Sequence, residues 1–246
     1  ITPAQLEAAI TPKTRALILC SPSNPTGAVY SKQELAALAE VILRHDDIIV
    51  ISDEIYEHIN YVGAHASIAQ VPGMKERTVI INGVSKAYAM TGWRIGFIAA
   101  PEWIVKGCNK LQGQYTSGPC SVSQIAAANA FSGNQQCVED MRKAFERRKK
   151  LIVKLCQETP GFEINEPEGA FYVFPKVSSY FGKSYNGEVI KDNMDLAMFL
   201  LNVGHVATVG GGAFGDPDCL RMSYATSDEN ITEAMKRINK ALALLK

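Results

Sequence analysis

VSKAYAMTGWRIG fills residues 84–96, directly after the strand-forming run TVIING at 78–83. A strand that ends in a lysine and is followed by an arginine, with glycines around both, asks what lies beyond its end. Working outward, RALILC (15–20), DIIVIS (47–52) and TVIING read as three apolar strands. The loop SPSNPTG (21–27) and a helix capped by Ser31 and Glu34, running to about Arg44, separate the first two. Strands apolar on both faces and joined by helical crossovers predict a parallel sheet covered on both sides. RIGFIAA (94–100) reads as a fourth strand, yet only seven residues separate Lys86 from Arg94. A parallel return needs a crossover of about a dozen residues or more, so this strand is expected to run antiparallel. Arg94 then starts at the edge where Lys86 ends.

Ligands of open α/β sheets bind beyond the carboxyl ends of the strands. Here those ends carry Asn24, then Asp53, Glu54 and Tyr56, then Ser85 and Lys86. An amine can form an imine with an aldehyde, and a carboxylate can pair with a pyridinium nitrogen. A phenol and an amide can hold a phenolate-like oxygen, and a guanidinium can hold a phosphate. Pyridoxal 5'-phosphate offers a partner to each.

The wider composition narrows the function. Lys and Arg number 25 and Asp and Glu 25, so no net field points to nucleic acid or an anionic membrane. The basic cluster Arg142, Lys143, Arg147, Arg148, Lys149 and Lys150 follows Glu139 and Glu146 at helical spacing and reads as a solvated helix face. Six scattered cysteines without a C-x-x-C, and four histidines without H-E-x-x-H, argue against a disulfide framework or zinc site. Reduced thiols fit a cytoplasmic protein. No apolar run is long enough to span a bilayer. Asp46-Asp47 and Asp53-Glu54 are not read as a metal pair, and His58 and His65 are read as ordinary loop residues. VGGGAFGDPD has the spacing of a dinucleotide loop, but Asp216, Pro217 and Asp218 follow where a helix would have to open, so a turn between strands is expected.

With these residues in view, SPSNPTG, SDEIYE (52–57) and VSKAYAMTGWRIGF resemble the motifs of fold-type I, class I aminotransferases, closest to the prokaryotic-type aspartate/prephenate branch. The likeness continues through QYTSG (114–118), PEGAFYVF (167–174), GGAFG (211–215) and LRMSYATS (220–227) and covers essentially the whole chain. It implies an α/β fold: a mostly parallel sheet with one antiparallel strand, covered by helices, plus a smaller α+β C-terminal domain. It implies that Lys86 bears the cofactor and later shuttles the proton. Asp53 keeps the ring nitrogen protonated, Tyr56 and Asn24 bind the ring oxygen, and Ser85 and Arg94 contact the phosphate. On the same resemblance Arg221, with Asn24, is expected to bind the substrate, Arg221 through its α-carboxylate. Trp93 is read as a packing residue.

The start, ITPAQLEAAI, reads as a helix entered mid-protein, with Thr2 as N-cap, Pro3 at N1 and Gln5 closing a capping box. The chain is therefore expected to be the later part of something longer, lacking the family's N-terminal stretch. A partial cofactor-binding domain is expected over 1–137, and a bridging helix and small domain over 138–246. Val138, Met141, Phe145, Ile152 and Leu155 form the apolar stripe of a helix from about 134 to 159. Beyond it FEIN, GAFYVFPKV, VATV and CLRMSYA read as strands, with helices near 195–203 and 227–245. The resemblance further implies a homodimer, for which Tyr115-Thr116-Ser117 is the segment expected to reach across, and amino-acid and 2-oxo-acid substrates of aspartate or glutamate type. Rival readings are a C–S lyase on the same scaffold and a non-catalytic effector domain of a transcriptional regulator.

Overall fold

Both capping boxes form. Thr2 with Gln5 starts helix α1 (Pro3–Ala9), and Ser31 with Glu34 starts α2 (Lys32–Ile42). The computed structural model describes all of the chain, Ile1–Lys246. Strands β1 (Ala16–Cys20), β2 (Ile49–Asp53), β3 (Thr78–Gly83) and β4 (Gly96–Ala99) make one sheet in that order. The first three run parallel and β4 pairs antiparallel with β3, as the short connection requires. Between them the chain makes a turn and one 3-10 turn, Thr91–Trp93, with no room for a crossover helix. Gly83 lies opposite Gly96. A Cβ on Gly83 would sit 2.8 Å from both the Gly96 Cα and the Ile95 carbonyl oxygen, so only glycine lets the strands approach there.

One face of this sheet is covered. Leu19 and Val50 pack with Leu35, Leu38, Ala39 and Ile42 of α2, and with Ile68 and Met74, into a continuous apolar core. Burial of the other face departs from the two-sided cover that the sequence suggests. Side chains alternate across the pleat, so Ile18, Asp53 and Ile81 point away from Leu19 and Val50. Ile18 is 73% exposed, and Ile81 is also exposed. Helices α3 (Glu102–Tyr115) and α4 (Ser121–Ser132), which the sequence reading left unassigned, carry the exposed apolar residues Trp103, Leu111, Val122 and Ile125.

By internal contacts the chain divides into two units, residues 1–23 with 28–141, and residues 24–27 with 142–246. The second unit contains most of α5 (Gln136–Gln157), then β5 (Tyr172–Val173), β6 (Ser184–Tyr185), β7 (Glu188–Val189), α6 (Asn193–Asn202), β8 (Val209–Gly210), β9 (Leu220–Ser223) and α7 (Asp228–Leu242). Its sheet has the order β5-β9-β8, all antiparallel. Ile152, Val173, Leu196, Leu200, Leu220, Tyr224, Met235 and Ile238 form its core.

FEIN is not a strand, and gives only a bridge from Glu163 to Lys176. A hairpin the sequence reading passed over joins β6 to β7 through Asn186 and Gly187, both at positive φ, the pair a tight hairpin turn favours. The basic cluster of α5 is only partly a solvated face. Lys149 is buried with its Nζ 2.7 Å from Glu166, and Arg147 forks onto both oxygens of Asp228 at 2.9 and 3.2 Å. A buried ammonium needs such a partner. All six cysteines are thiols, and no helix is long and apolar enough to cross a membrane.

Leu38 and Ile238 are fully buried, one in each core. Truncation of either to alanine should cost about 2–5 kcal/mol, read as a lowered midpoint in urea unfolding of the intact protein. A loss below about 0.5 kcal/mol at either position would contradict that packing.

Candidate active site

The predicted residues fall into two sets, one on each unit. In the first, Asp53 is the last residue of β2, in register with Cys20 of β1 and Ile81 of β3. The chain turns immediately after it, as the Glu54 amide donates to the Ile81 carbonyl at 2.9 Å. Asp53 Oδ1 accepts the Ile55 amide at 3.2 Å, which leaves its second oxygen for another donor. Tyr56 is buried at the next turn, and the Lys86 Nζ lies 5.7 Å from the centre of its ring. Lys86 and the half-buried Ser85 sit in the turn that follows β3, closed by an Ala89 amide to Lys86 carbonyl bond of 3.2 Å. Arg94 is exposed, with a left-handed backbone (φ 53°) and its Nη1 donating to the Thr91 carbonyl at 3.0 Å. The sheet thus brings a carboxylate, a phenol and an amine to neighbouring strand ends. Trp93 beside Arg94 is 45% exposed, so it is not packed away as expected.

The second set lies on the other unit. Arg221, on β9, donates from Nη1 to Asn24 Oδ1 at 3.0 Å. Asn24 belongs to the SPSNPTG loop, whose tip joins this unit where Glu168 and Gly169 both donate to the Gly27 carbonyl at 2.8 Å. The GGGAFG segment makes one 3-10 turn, Gly211–Phe214, and then reverses at Gly215. No α-helix opens there, in keeping with a turn rather than a pyrophosphate loop.

One arrangement was missed by the sequence reading. Glu54 is buried, and its Oε1 accepts the hydroxyls of Ser52 at 2.8 Å and Ser67 at 2.5 Å. Its Oε2 lies 2.8 Å from His65 Nε2. His65 is therefore not an ordinary loop residue, because it ties the irregular segment 57–67 to the end of β2. Glu54, Glu57 and His65 do bring three potential metal-ligating atoms within 4.8 Å. The Glu54 oxygens are already engaged by hydroxyls and imidazole, however, so the group reads as a hydrogen-bonded clamp. Burial pushes the Glu57 carboxyl up, but the His58 hydrogen bond and nearby imidazoles outweigh it and hold the group below the usual carboxylate range. The signal in the sequence was the second acid in SDE, a carboxylate directly after an apolar strand.

Residues 1–238 match the family model described as aminotransferase class I and II. The chain belongs to that family. Class I aminotransferases use pyridoxal phosphate. The chain is 48% identical over 241 residues to an aspartate/prephenate aminotransferase of Cereibacter sphaeroides, covering 97% of itself and 60% of that protein. It is 48% identical over 251 residues to a bifunctional aspartate aminotransferase and glutamate/aspartate-prephenate aminotransferase of Petunia hybrida, covering 100% of itself and 52% of that protein. Among solved structures, an aspartate aminotransferase from Rhizobium meliloti superposes with a TM-score of 0.95 at 44% identity, covering all of this chain and 62% of that one. The chain therefore spans between half and two thirds of the length of these relatives.

The clamp around Glu54 makes its own prediction. Glu54→Leu should strand the Ser52 and Ser67 hydroxyls and His65, costing about 1–3 kcal/mol for each group left unpaired. Ser67→Ala should cost much less. Urea midpoints for the two variants that came out equal would show that Glu54 does not organise the cluster.

Proposed function

We propose that this aminotransferase chain serves a ping-pong transfer of an amino group from an amino acid of aspartate or glutamate type to a 2-oxo acid, using pyridoxal 5'-phosphate. The observation that carries this reading is the placement of Lys86 over Tyr56 at the end of β3, with Asp53 ending the adjacent strand. The donor set fits the cofactor: an amine for an aldehyde, a carboxylate for a ring nitrogen, a phenol for a ring oxygen and a guanidinium for a phosphate. When bound, pyridoxal 5'-phosphate supplies an electron sink for charge developing at the substrate α-carbon.

Each residue then has a role. Lys86 is the covalent attachment point and the base that takes the proton from the α-carbon and returns it. Asp53 is the partner of the ring nitrogen and keeps a proton there, which preserves the sink. Tyr56 and Asn24 hold the ring oxygen, and Ser85 and Arg94 hold the phosphate. Arg221 forks the substrate α-carboxylate, a geometry a planar guanidinium suits.

On this reading residues 1–137 contribute to a cofactor-binding domain and 138–246 form the bridging helix and small domain. The protein is proposed to be cytoplasmic and to act as a homodimer. Tyr115-Thr116-Ser117, which follows α3 and has Tyr115 83% exposed, is its proposed crossing segment. The lyase and regulator readings have no specific support, since the relatives described above carry aminotransferase names.

Two variants of the intact protein test the roles. Lys86→Ala should remove the visible absorption of covalently held cofactor and nearly all turnover. Borohydride that still fixed the cofactor to the protein would exclude Lys86 as the attachment point. Asp53→Asn should bind the cofactor yet lose about 3 kcal/mol or more of transition-state stabilisation, seen as slowed exchange of the substrate α-proton. An unchanged exchange rate would remove Asp53 from the mechanism.

A further inference from the structure

Arg221 is held by more than Asn24. Its guanidinium carbon lies 4.7 Å from the centre of the Tyr172 ring and 4.7 Å from the centre of the Phe214 ring. The fold explains both contacts. Tyr172 of β5 is opposite Ser223 of β9, so Arg221, two residues along, lies diagonal to it on the same face. Phe214 comes from the 3-10 turn after β8, whose Val209 is opposite Arg221. That turn is pinned from below. The buried Asn193 side chain donates to the Pro217 carbonyl at 2.7 Å and accepts the Gly212 amide at 3.3 Å. The Phe214 ring also meets Phe174 edge to face, with centroids 6.1 Å apart.

Two ring faces and one amide oxygen constrain an otherwise flexible cation. Rings attract the flat face of a guanidinium, whereas hydrogen bonds form along its edge. Ring contacts of that kind leave the edge donors free, and Asn24 takes only an Nη1 hydrogen. We propose that Tyr172 and Phe214 are positioning residues that hold the Arg221 plane ready for a carboxylate. This rests on the reading of Arg221 as the carboxylate binder. It assigns the phenylalanine of GGAFG and the tyrosine of GAFY to substrate recognition rather than to packing alone.

The test uses the intact, cofactor-loaded protein and succinate, an unreactive dicarboxylate, titrated by calorimetry. Phe214→Leu and Tyr172→Leu should each raise the succinate Kd by about tenfold. Phe214→Tyr and Tyr172→Phe, which keep the ring, should restore it. The visible cofactor spectrum and thermal midpoint of the ring-keeping variants should match those of the parent. KM for the amino acid should rise in the leucine variants, while turnover of an amine lacking the α-carboxylate stays constant.

Arg221→Ala separates the two levels of the argument. If it leaves succinate binding intact, the carboxylate reading itself fails. If it abolishes succinate binding while both leucine variants bind as the parent does, the positioning role fails and the reading of Arg221 survives. Equal losses for the amino acid and the amine in Phe214→Leu would likewise overturn positioning, since a pocket wall would hinder both.

Discussion

The reversal of direction between β3 and β4 is the constraint on which the Lys86 site depends. Gly83 and Gly96 come together with no space for a side chain between them. That contact forces the intervening residues into a tight excursion at one end of the sheet. A longer connection could have carried the chain away over a face, as happens between β1 and β2. Here the excursion stays at the strand ends and holds Lys86 above a buried phenol.

Exposed ion pairs and buried polar groups contribute on different scales. Arg147 with Asp228 and Arg237 with Glu233 are largely exposed pairs, of the sort that contribute about 0–1 kcal/mol each. Glu54 is different, since its carboxylate is out of water and depends on two hydroxyls and an imidazole for solvation. Removing a member of that group leaves buried polar atoms unpaired, which outweighs the loss of any single surface pair. The clamp's central carboxylate, Glu54, lies between Asp53 and Tyr56 in sequence.

Much of the first unit was legible from pattern alone. RALILC, DIIVIS and TVIING are short, apolar and flanked by turn residues, and the length of the connection fixed the direction of β4. Sequence pattern could not show which sheet face is covered, because Ile18 and Ile81 are as apolar as residues in a filled core. It also failed for α3 and α4, whose apolar residues are not sorted onto a buried stripe. Short strands such as Ser184–Tyr185 and Glu188–Val189 are defined by their partners rather than by their own composition, and FEIN shows the opposite error. Among the candidate site side chains, Lys86 and Asp53 were visible as anomalies at strand ends. His65 and Phe214 were not, since a loop histidine and a glycine-flanked phenylalanine acquire meaning only through distant partners.

The loop tip 24–27 gives the molecule a property that a linear map conceals. Gly27, at φ 72°, has its carbonyl shared by two amides of the 167–169 turn, and a Cβ on it would stand 2.3 Å from the Pro167 Cβ. Four residues from the N-terminal third are thereby structural members of the C-terminal unit. The order of parts along the polypeptide is not the order of parts in space. A ribosome finishing the C-terminal unit completes a body whose first piece emerged long before, so an excised segment 142–246 would lack four residues of that unit. Cutting ahead of Arg142 would yield a polypeptide in which Arg221 has lost its amide partner, however well the remaining core folds.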